Sequence, residues 1–486
     1  MRSSFLLVFI TLFVALGANA AATVQRPNIL FILCDDLGWK DLGCYGSSFY
    51  ETPNLDRLAK EGMRFTQAYA ACPVCSPTRA SLLSGEYPAR VGVTDYIPGG
   101  AKGKLLPAEF LHHLPLGSAR LPLMLHDAGY TTWHVGKWHL GGKGFYPTDQ
   151  GFDVNVGGCE WGRPMNGYFS PWNNPTLENG KPGDFLTDKL TDESIKLIKA
   201  NKDKPFFLQY WSYAPHTPIQ APKELVKKYE EKAKRLGLDP KAGLVEGELF
   251  PTINKKEKHV IRRVVQSDPV YAAMIENLDT NIGRLLKAIE ETGQADNTLV
   301  IFSSDNGGLA TAEGSPTSNL PLRDGKGWMY EGGIREPLIV RWPGVVKAGT
   351  TTDVPITTPD FYPTLTEAVG GKLDKNATLD GVSFLPVLKG AEHLDREVMY
   401  WHYPHYGNQG GTPTGGIRVG DWKLIQFFED NHVELYNLRE DPEEQHNRGS
   451  TEIDRVAKMR TLLLDWQQKI GAKTPKPNPD FSKATQ

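Results

Sequence analysis

Apolar residues recur along this chain in two patterns, and the way these take turns predicts the fold. Short unbroken apolar runs read as strands buried on both faces, and stretches with apolar positions three and four apart read as amphipathic helices. The run "NILFILCDD" (28–36) predicts a buried strand that ends in two acids. After Pro53, "NLDRLAKEG" predicts a short helix closed by Gly62. "ARLPLMLHDAGY" predicts a helix leading into the strand of "TTWHVGKWHLG", and "TDKLTDESIKLIKAN" one leading into "PFFLQYWSYAPHTP". A long helix over "DPVYAAMIENLDTNIGRLLKAIEETG" leads into "TLVIFSSDNGG". Strand and helix in turn define an α/β domain built on a largely parallel sheet.

The alternation breaks twice. Residues 223–258 are rich in Lys and Glu, with little apolar periodicity beyond "ELVKKYEEKAKRLG", and predict an exposed helical excursion without chemistry. After about Leu388 the texture changes to short alternating strands with turns, "EVMYWHYPHYG", "GGIRVGDWKLIQFF" and "HVELYNLREDPEE", then a helix from Thr451 to about Ile470. This predicts a smaller antiparallel sheet with one helix packed on it, and the tail after Gly471 reads as loose. The expected organisation is a leader at 1–20, a main α/β domain at 21–388 and a smaller C-terminal α+β subdomain at 389–486.

The leader follows from its own pattern. Arg2 precedes an apolar run from Phe5 to Leu16, and Ala18-Asn19-Ala20 supplies small residues for a cleavage site near Ala20. The run is shorter than the roughly 20 residues that span a bilayer, and no later segment is apolar enough, so no membrane span is expected. The chain is read as secreted or periplasmic. Its 54 basic and 57 acidic side chains leave no basic surplus, which argues against nucleic acid as a partner.

Export makes the five cysteines informative, because an odd number leaves at least one without a disulfide partner: Cys34, Cys44, Cys72, Cys75 and Cys159. Cys72 and Cys75 in "CPVCSPTRASLLSG" have the spacing of a redox or zinc pair. No second pair follows at finger-like distance and no redox fold surrounds them, so their chemistry lies elsewhere.

The polar residues at the strand ends suggest where. Open α/β sheets bind ligands beyond the carboxyl ends of their strands, and four predicted strands aim polar groups at that edge. Asp35, Asp36, Asp305 and Asn306 offer oxygen donors only, which suits Ca²⁺ or Mg²⁺ and not zinc. Arg79, Lys137, His139, His216 and Lys326 add cationic or proton-carrying groups in contexts fixed by Gly or Pro. A dication ringed by such groups makes an anion site, able to stabilise in-line displacement at a phosphoryl or sulfuryl centre with histidine as general acid. Cys75, four residues before Arg79 at a predicted helix start, can face the same anion.

"CSPTRASLLSG" resembles the signature of the sulfatase family of the alkaline phosphatase superfamily, and "GYTTWHVGKWHLG", "CDDLGW", "SDNGG" and "GKGWMYEGGIREP" look like further elements of it in the same order. The resemblance implies an alkaline-phosphatase-like fold, a mixed and largely parallel sheet between helices. It implies that a formylglycine-generating enzyme oxidises Cys75 to formylglycine, whose hydrate is the nucleophile. It implies that Asp35, Asp36, Asp305 and Asn306 hold Ca²⁺ together with an oxygen derived from Cys75. Arg79 and Lys137 would neutralise the hydrated aldehyde, and Lys326 and His216 would contact the sulfate. His216 would protonate the departing alcohol, and His139 would help release sulfate.

Two other classes differ in residues. A phosphatase or phosphonate hydrolase of the same superfamily would carry a Thr or Ser nucleophile or a second metal, whose space Lys137 and Lys326 fill here. A non-catalytic sulfated-glycan binder would have lost Cys75, Arg79 or the acids. For substrate contacts the sequence offers Trp161 and Arg163 in "CEWGRPMNGY", and Trp401, His402, His405 and Tyr406 in "YWHYPHYGNQGG". Aromatic faces beside hydrogen-bonding groups suit a sugar ring. With the resemblance, this points to a sulfated carbohydrate, a galactose or N-acetylgalactosamine type sulfate attacked at a chain end.

Overall fold

The computed structural model describes residues 26–201, 204–373 and 377–481, so the expected leader at 1–20 lies outside the described residues. The strands and helices that frame the molecule are, in chain order, β1 (Asn28–Cys34), α1 (Pro53–Glu61), β2 (Met63–Tyr69), α2 (Cys75–Ser84), α3 (Arg120–Asp127), β3 (Thr131–Gly136), β4 (Val154–Val156), α4 (Leu186–Ala200) and β5 (Phe206–Trp211). They continue with α5 (Lys223–Arg235), β6 (Leu244–Leu249), β7 (His259–Arg263), α6 (Pro269–Glu291), β8 (Thr298–Ser304), β9 (Arg335–Arg341), β10 (Thr350–Thr352) and α7 (Phe361–Ala368).

These strands build a nine-stranded sheet in the order β10-β2-β9-β8-β1-β5-β3-β4, with the short strand Ile356–Thr357 also paired to β2. Pairing is parallel except at β9, which runs antiparallel to both β2 and β8 and makes the sheet mixed. β1 shows why its run is unbroken. Leu30, Ile32 and Cys34 enter one hydrophobic cluster with α1, α4, α5 and α6, and Ile29, Phe31 and Leu33 enter another with α2, α3 and α7. Successive side chains point to opposite faces, and here both faces are covered by helices, so every position from Ile29 to Cys34 is apolar.

The predicted charged excursion is a helix only in its first part. α5 buries Tyr229 and Ala233 against the body, and the remainder is a hairpin, β6 with β7, not a helical extension. Lys and Glu on its solvent face hid the strand alternation.

The C-terminal strands β11 (Val398–Tyr403), β12 (Thr414–Val419), β13 (Trp422–Phe427) and β14 (Val433–Asn437) form the expected antiparallel sheet in sequential order, with helix α8 (Ile453–Lys469) against β12 and β13. One face of this sheet shares a core with the main body, where Met399, Trp401 and Ile425 pack with Tyr69, Cys72, Val74 and Met329. As far as it is described, to residue 481, the tail after Gly471 is tied down rather than loose. Lys476 and Pro477 pair with Leu106 and Leu105, and the Asn478 amide donates to the Lys104 carbonyl at 2.9 Å.

A buried ion triad crosses from the main body to the small sheet. Lys423 Nζ on β13 lies 2.9 Å from Glu331 and 2.8 Å from Glu444, all three side chains wholly inaccessible. Burial raises the Glu444 carboxyl to about 7, whereas at Glu331 burial is outweighed by Lys423, Arg335 and Arg418 together, which hold it below its ordinary value. Lys423→Met is therefore expected to leave Glu444 buried without its cation and Glu331 with only Arg335, 3.5 Å away, costing about 3–5 kcal/mol of stability in chemical denaturation.

Candidate active site

The central strands β1, β8, β5 and β3 deliver their residues to one edge of the sheet. Asp35 and Asp36 follow β1, Asp305 and Asn306 follow β8, Lys137 and His139 follow β3, and His216 follows β5. Cys75 opens α2, with Arg79 one turn on, and Lys326 comes from the loop before β9. Asp36 (φ 66°) and His139 (φ 56°) are left-handed, a conformation uncommon outside glycine that turns each side chain out of its strand direction into the site.

Charge at the floor is paired in a fixed pattern. Lys137 Nζ is 2.6 Å from Asp35, and Arg79 donates to Asp305 Oδ2 at 2.8 Å and to the Lys137 carbonyl at 3.1 Å. Lys326 Nζ donates to Asp36 at 2.8 Å and lies 2.9 Å from His216 Nε2. Asn306 donates to Asp36 Oδ1 at 2.8 Å. Burial raises the Asp35 carboxyl well above the usual carboxylate range, with Lys137 opposing. At Asp36 burial is outweighed by Lys326 and His216, which hold it well below that range. Burial and then Lys326 push His216 down to about 4, and burial and then Lys137 push His139 well below its ordinary value, so both imidazoles are neutral near pH 7.

Two oxygens of this cluster, Asp35 Oδ1 and Asn306 Oδ1, are buried and accept no hydrogen bond. A buried acceptor without a donor is costly, and a cation relieves it. Ligand atoms of Asp35, Cys75 and Asp305 lie within 4.8 Å of one another, as do those of Asp35, Asp36 and His216. The oxygen-rich donor set and its two unpartnered oxygens fit a hard dication.

Cys75 Sγ, where any side chain formed from this cysteine would sit, is 3.2 Å from His139 Nδ1. The other ring nitrogen of His139 contacts the Ile97 carbonyl, which can only accept, so Nε2 carries the proton and Nδ1 is left as an acceptor facing position 75. A Cβ on Gly162 would come within 2.6 Å of the His139 ring, so only glycine fits there. The glycines of "SDNGG" and "YEGG" have a similar cause: a Cβ on Gly307 would lie 1.9 Å from the Gly332 carbonyl.

All five cysteines are free. Cys72 is 1% exposed in the core shared with the small sheet, where burial raises its thiol well above the ordinary range, and it serves packing.

Above this floor opens a cleft of ≈ 540 Å³ lined by Cys75, His139, His216 and Lys326 at its base. Arg163 lines it as the sequence suggested, while Trp161 does not and its neighbours Gly162 and Met165 do. Three other expected contacts are corrected. Trp401 is buried with its indole N–H donating to Ala70, His402 bonds the Lys473 carbonyl and Gln467, and His405 bonds Thr94. Tyr406 is likewise inaccessible and bonded to Glu429. On β11 and just beyond it, alternate side chains face the shared core or the helix side, so these rings pack the small sheet. From the same stretch Asn408 and Gln409 reach the cleft instead.

Sequence reasoning also missed Tyr96, Ile97 and Glu313 on the cleft wall. Ile97 acts through its carbonyl, which no residue type advertises. Glu313, in "TAEGSP", had the pattern of a solvated turn.

A buried acid cluster whose donors fit a dication, paired cations and a cysteine at a helix start, all at the carboxyl edge of a mixed α/β sheet, point to a hydrolase of anionic esters. The family model Sulfatase matches residues 27–371, and a second model, N-sulphoglucosamine sulphohydrolase, C-terminal, matches residues 324–469. The chain is 34% identical to a sulfatase of Formosa agariphila over 93% of its own length and 90% of that protein. It is 33% identical to N-acetylgalactosamine-6-sulfatase of Mus musculus, covering 84% of this chain and 74% of that one. Among solved structures it matches Ps i-CgsB in complex with k-i-k-neocarrahexaose, with a TM-score of 0.73, 28% identity and 91% and 93% of the two chains covered. The chain belongs to the sulfatase family and is a sulfuric ester hydrolase.

Proposed function

We propose that this protein is an exported sulfatase that removes sulfate from carbohydrates, acting at chain ends on galactose or N-acetylgalactosamine type sulfates. The observation that carries this reading is the meeting of Cys75, His139, His216 and Lys326 at the base of one cleft directly over a buried acid cluster. The relative named N-acetylgalactosamine-6-sulfatase and the structure solved with k-i-k-neocarrahexaose support the carbohydrate class. Among the described residues no helix is long and apolar enough to cross a membrane.

Asp35, Asp36, Asp305 and Asn306 would hold Ca²⁺, which when bound supplies charge stabilisation for the sulfuryl oxygens. Cys75, matured to formylglycine by a generating enzyme, would supply a hydrated aldehyde as nucleophile and a route to expel sulfate. The chain's own groups do the rest. His139 Nδ1 accepts the proton from position 75, since its Nε2–H is committed to Ile97. Arg79 and Lys137 keep that position cationic, each anchored on a carboxylate. Lys326 and His216 meet the ester. The proton of this pair stays on Lys326, which Asp36 holds charged despite burial. An incoming sulfate ester adds the negative charge that favours protonated His216, so binding arms the general acid for the leaving alcohol.

The test is a desulfation screen with matured protein on defined sulfated mono- and oligosaccharides, intact polymer and aryl sulfates. Terminal sulfated sugars are expected to give the highest kcat/KM. Interior desulfation as fast as terminal overturns chain-end action, and a preference for aryl sulfates over every sugar overturns the carbohydrate class.

A further inference from the structure

The cleft of an enzyme for anionic esters is expected to be cationic throughout, yet one carboxylate stands in its wall. Glu313 is the one carboxylate among the described residues that line the cleft. It lies on the loop after β8, in left-handed backbone (φ 55°) that glutamate seldom adopts, and its side chain is exposed to the cleft while held by neighbours. Oε1 accepts from Asn408 Nδ2 at 2.6 Å and Gln409 Nε2 at 3.1 Å, and Oε2 accepts from the Thr217 hydroxyl at 3.3 Å. Three donors serve about four acceptor positions of an ionised carboxylate, and the unfilled one is on Oε2, beside the residue that follows His216.

Resting on the reading that the substrate is a sulfated sugar, we propose that Glu313 determines specificity within that class. Its Oε2 accepts a hydrogen bond from a free hydroxyl of the ring that carries the scissile sulfate, and its charge disfavours a ring with a second sulfate or carboxylate at that position. A carboxylate near Lys326 and His216 opposes binding of any anion, so its place in the wall needs a compensating contact. A neutral hydroxyl donor provides one, because hydrogen bonds to a charged acceptor are the stronger kind. Two amides from one loop and a hydroxyl from another fix the carboxylate before substrate arrives, so little ordering is needed on binding. The geometry selects a monosulfated ring over a disulfated one.

The experiment measures kcat/KM of the matured enzyme and of Glu313→Gln on N-acetylgalactosamine 6-sulfate and N-acetylgalactosamine 4,6-disulfate, with p-nitrophenyl sulfate as a third substrate and melting temperature as a check on folding. The wild type is expected to prefer the monosulfate, and Glu313→Gln to reduce that preference by about tenfold or more, as loss of a charged acceptor predicts. Glu313→Asp, which keeps the charge, is expected to retain more of the preference than Glu313→Gln. Should Glu313→Gln not fold, Asn408→Ala removes the shortest bond holding the carboxylate and is expected to lower the same ratio. An equal ratio in wild type and folded variant, or no preference in the wild type, overturns the inference while leaving the carbohydrate reading intact. A wild type that prefers p-nitrophenyl sulfate to these two sugars and to every other sulfated sugar overturns the carbohydrate reading and this inference with it.

Discussion

Cys75→Ala is expected to lower sulfatase turnover by at least about 10⁴-fold, the scale on which removal of a nucleophile acts. The melting temperature should fall by only a few degrees. Cys75 is 2% exposed, and removing one small buried group costs about 1 kcal/mol, so loss of activity and loss of fold are separable by calorimetry. Cys75→Ser sharpens the test. Its single hydroxyl can attack sulfur with His139 Nδ1 as base, yet no second hydroxyl is present to expel the sulfate. It is expected to release about one equivalent of alcohol per site and then stall. Peptide mass analysis of the active protein should find an aldehyde at position 75. An unmodified thiol in fully active protein overturns the mechanism.

Stripping the metal should bring the second large effect, loss of turnover with loss of stability. Binding to the folded state alone stabilises by mass action, about 2.7 kcal/mol at a hundred times the dissociation constant, so added Ca²⁺ should raise the melting temperature of stripped protein by several degrees. The choice of variant matters. Asp305→Ala should abolish both effects, but it also removes the carboxylate that pairs with Arg79 and leaves a wholly buried guanidinium with a poorer partner. Asn306→Ala is cleaner, because its side-chain Oδ1 has no partner in the protein and its amide donates only to Asp36 and the Gly307 carbonyl. Its calcium-dependent shift should shrink, while its melting temperature without metal stays close to that of the stripped wild type. Full activity after exhaustive chelation, with no metal by elemental analysis, overturns the metal assignment.

Much of the site was legible in the sequence because its chemistry sits where backbone order is local. A buried parallel strand is a continuous apolar run, and the first polar residues after it must lie at the sheet edge. Asp35, Asp36, Lys137, His139, His216, Asp305 and Asn306 are therefore assigned to that edge by the sequence pattern alone. Where the chain leaves that regularity, pattern failed. The aromatics of residues 401–406 have the composition of a sugar platform and yet pack the small sheet, since a ring's neighbours, and not its type, decide whether it meets solvent. The hairpin after α5 was hidden by charge on its open face.

By itself the sequence determined the helix and strand order, the carboxyl-edge location of the acids and cations, and the cysteine signature that marks the chemistry. These depend on periodicity of 2 and 3.6 and on residues a few positions apart. Only the tertiary structure decided which side chains share a cleft. The His139 tautomer rests on a carbonyl 42 residues away, and Glu313 is held by amides 95 and 96 residues distant. The Lys423 triad joins two sheets. Such contacts form between groups that are remote along the chain, and their energies depend on burial and distance, quantities that exist only once the chain has closed on itself.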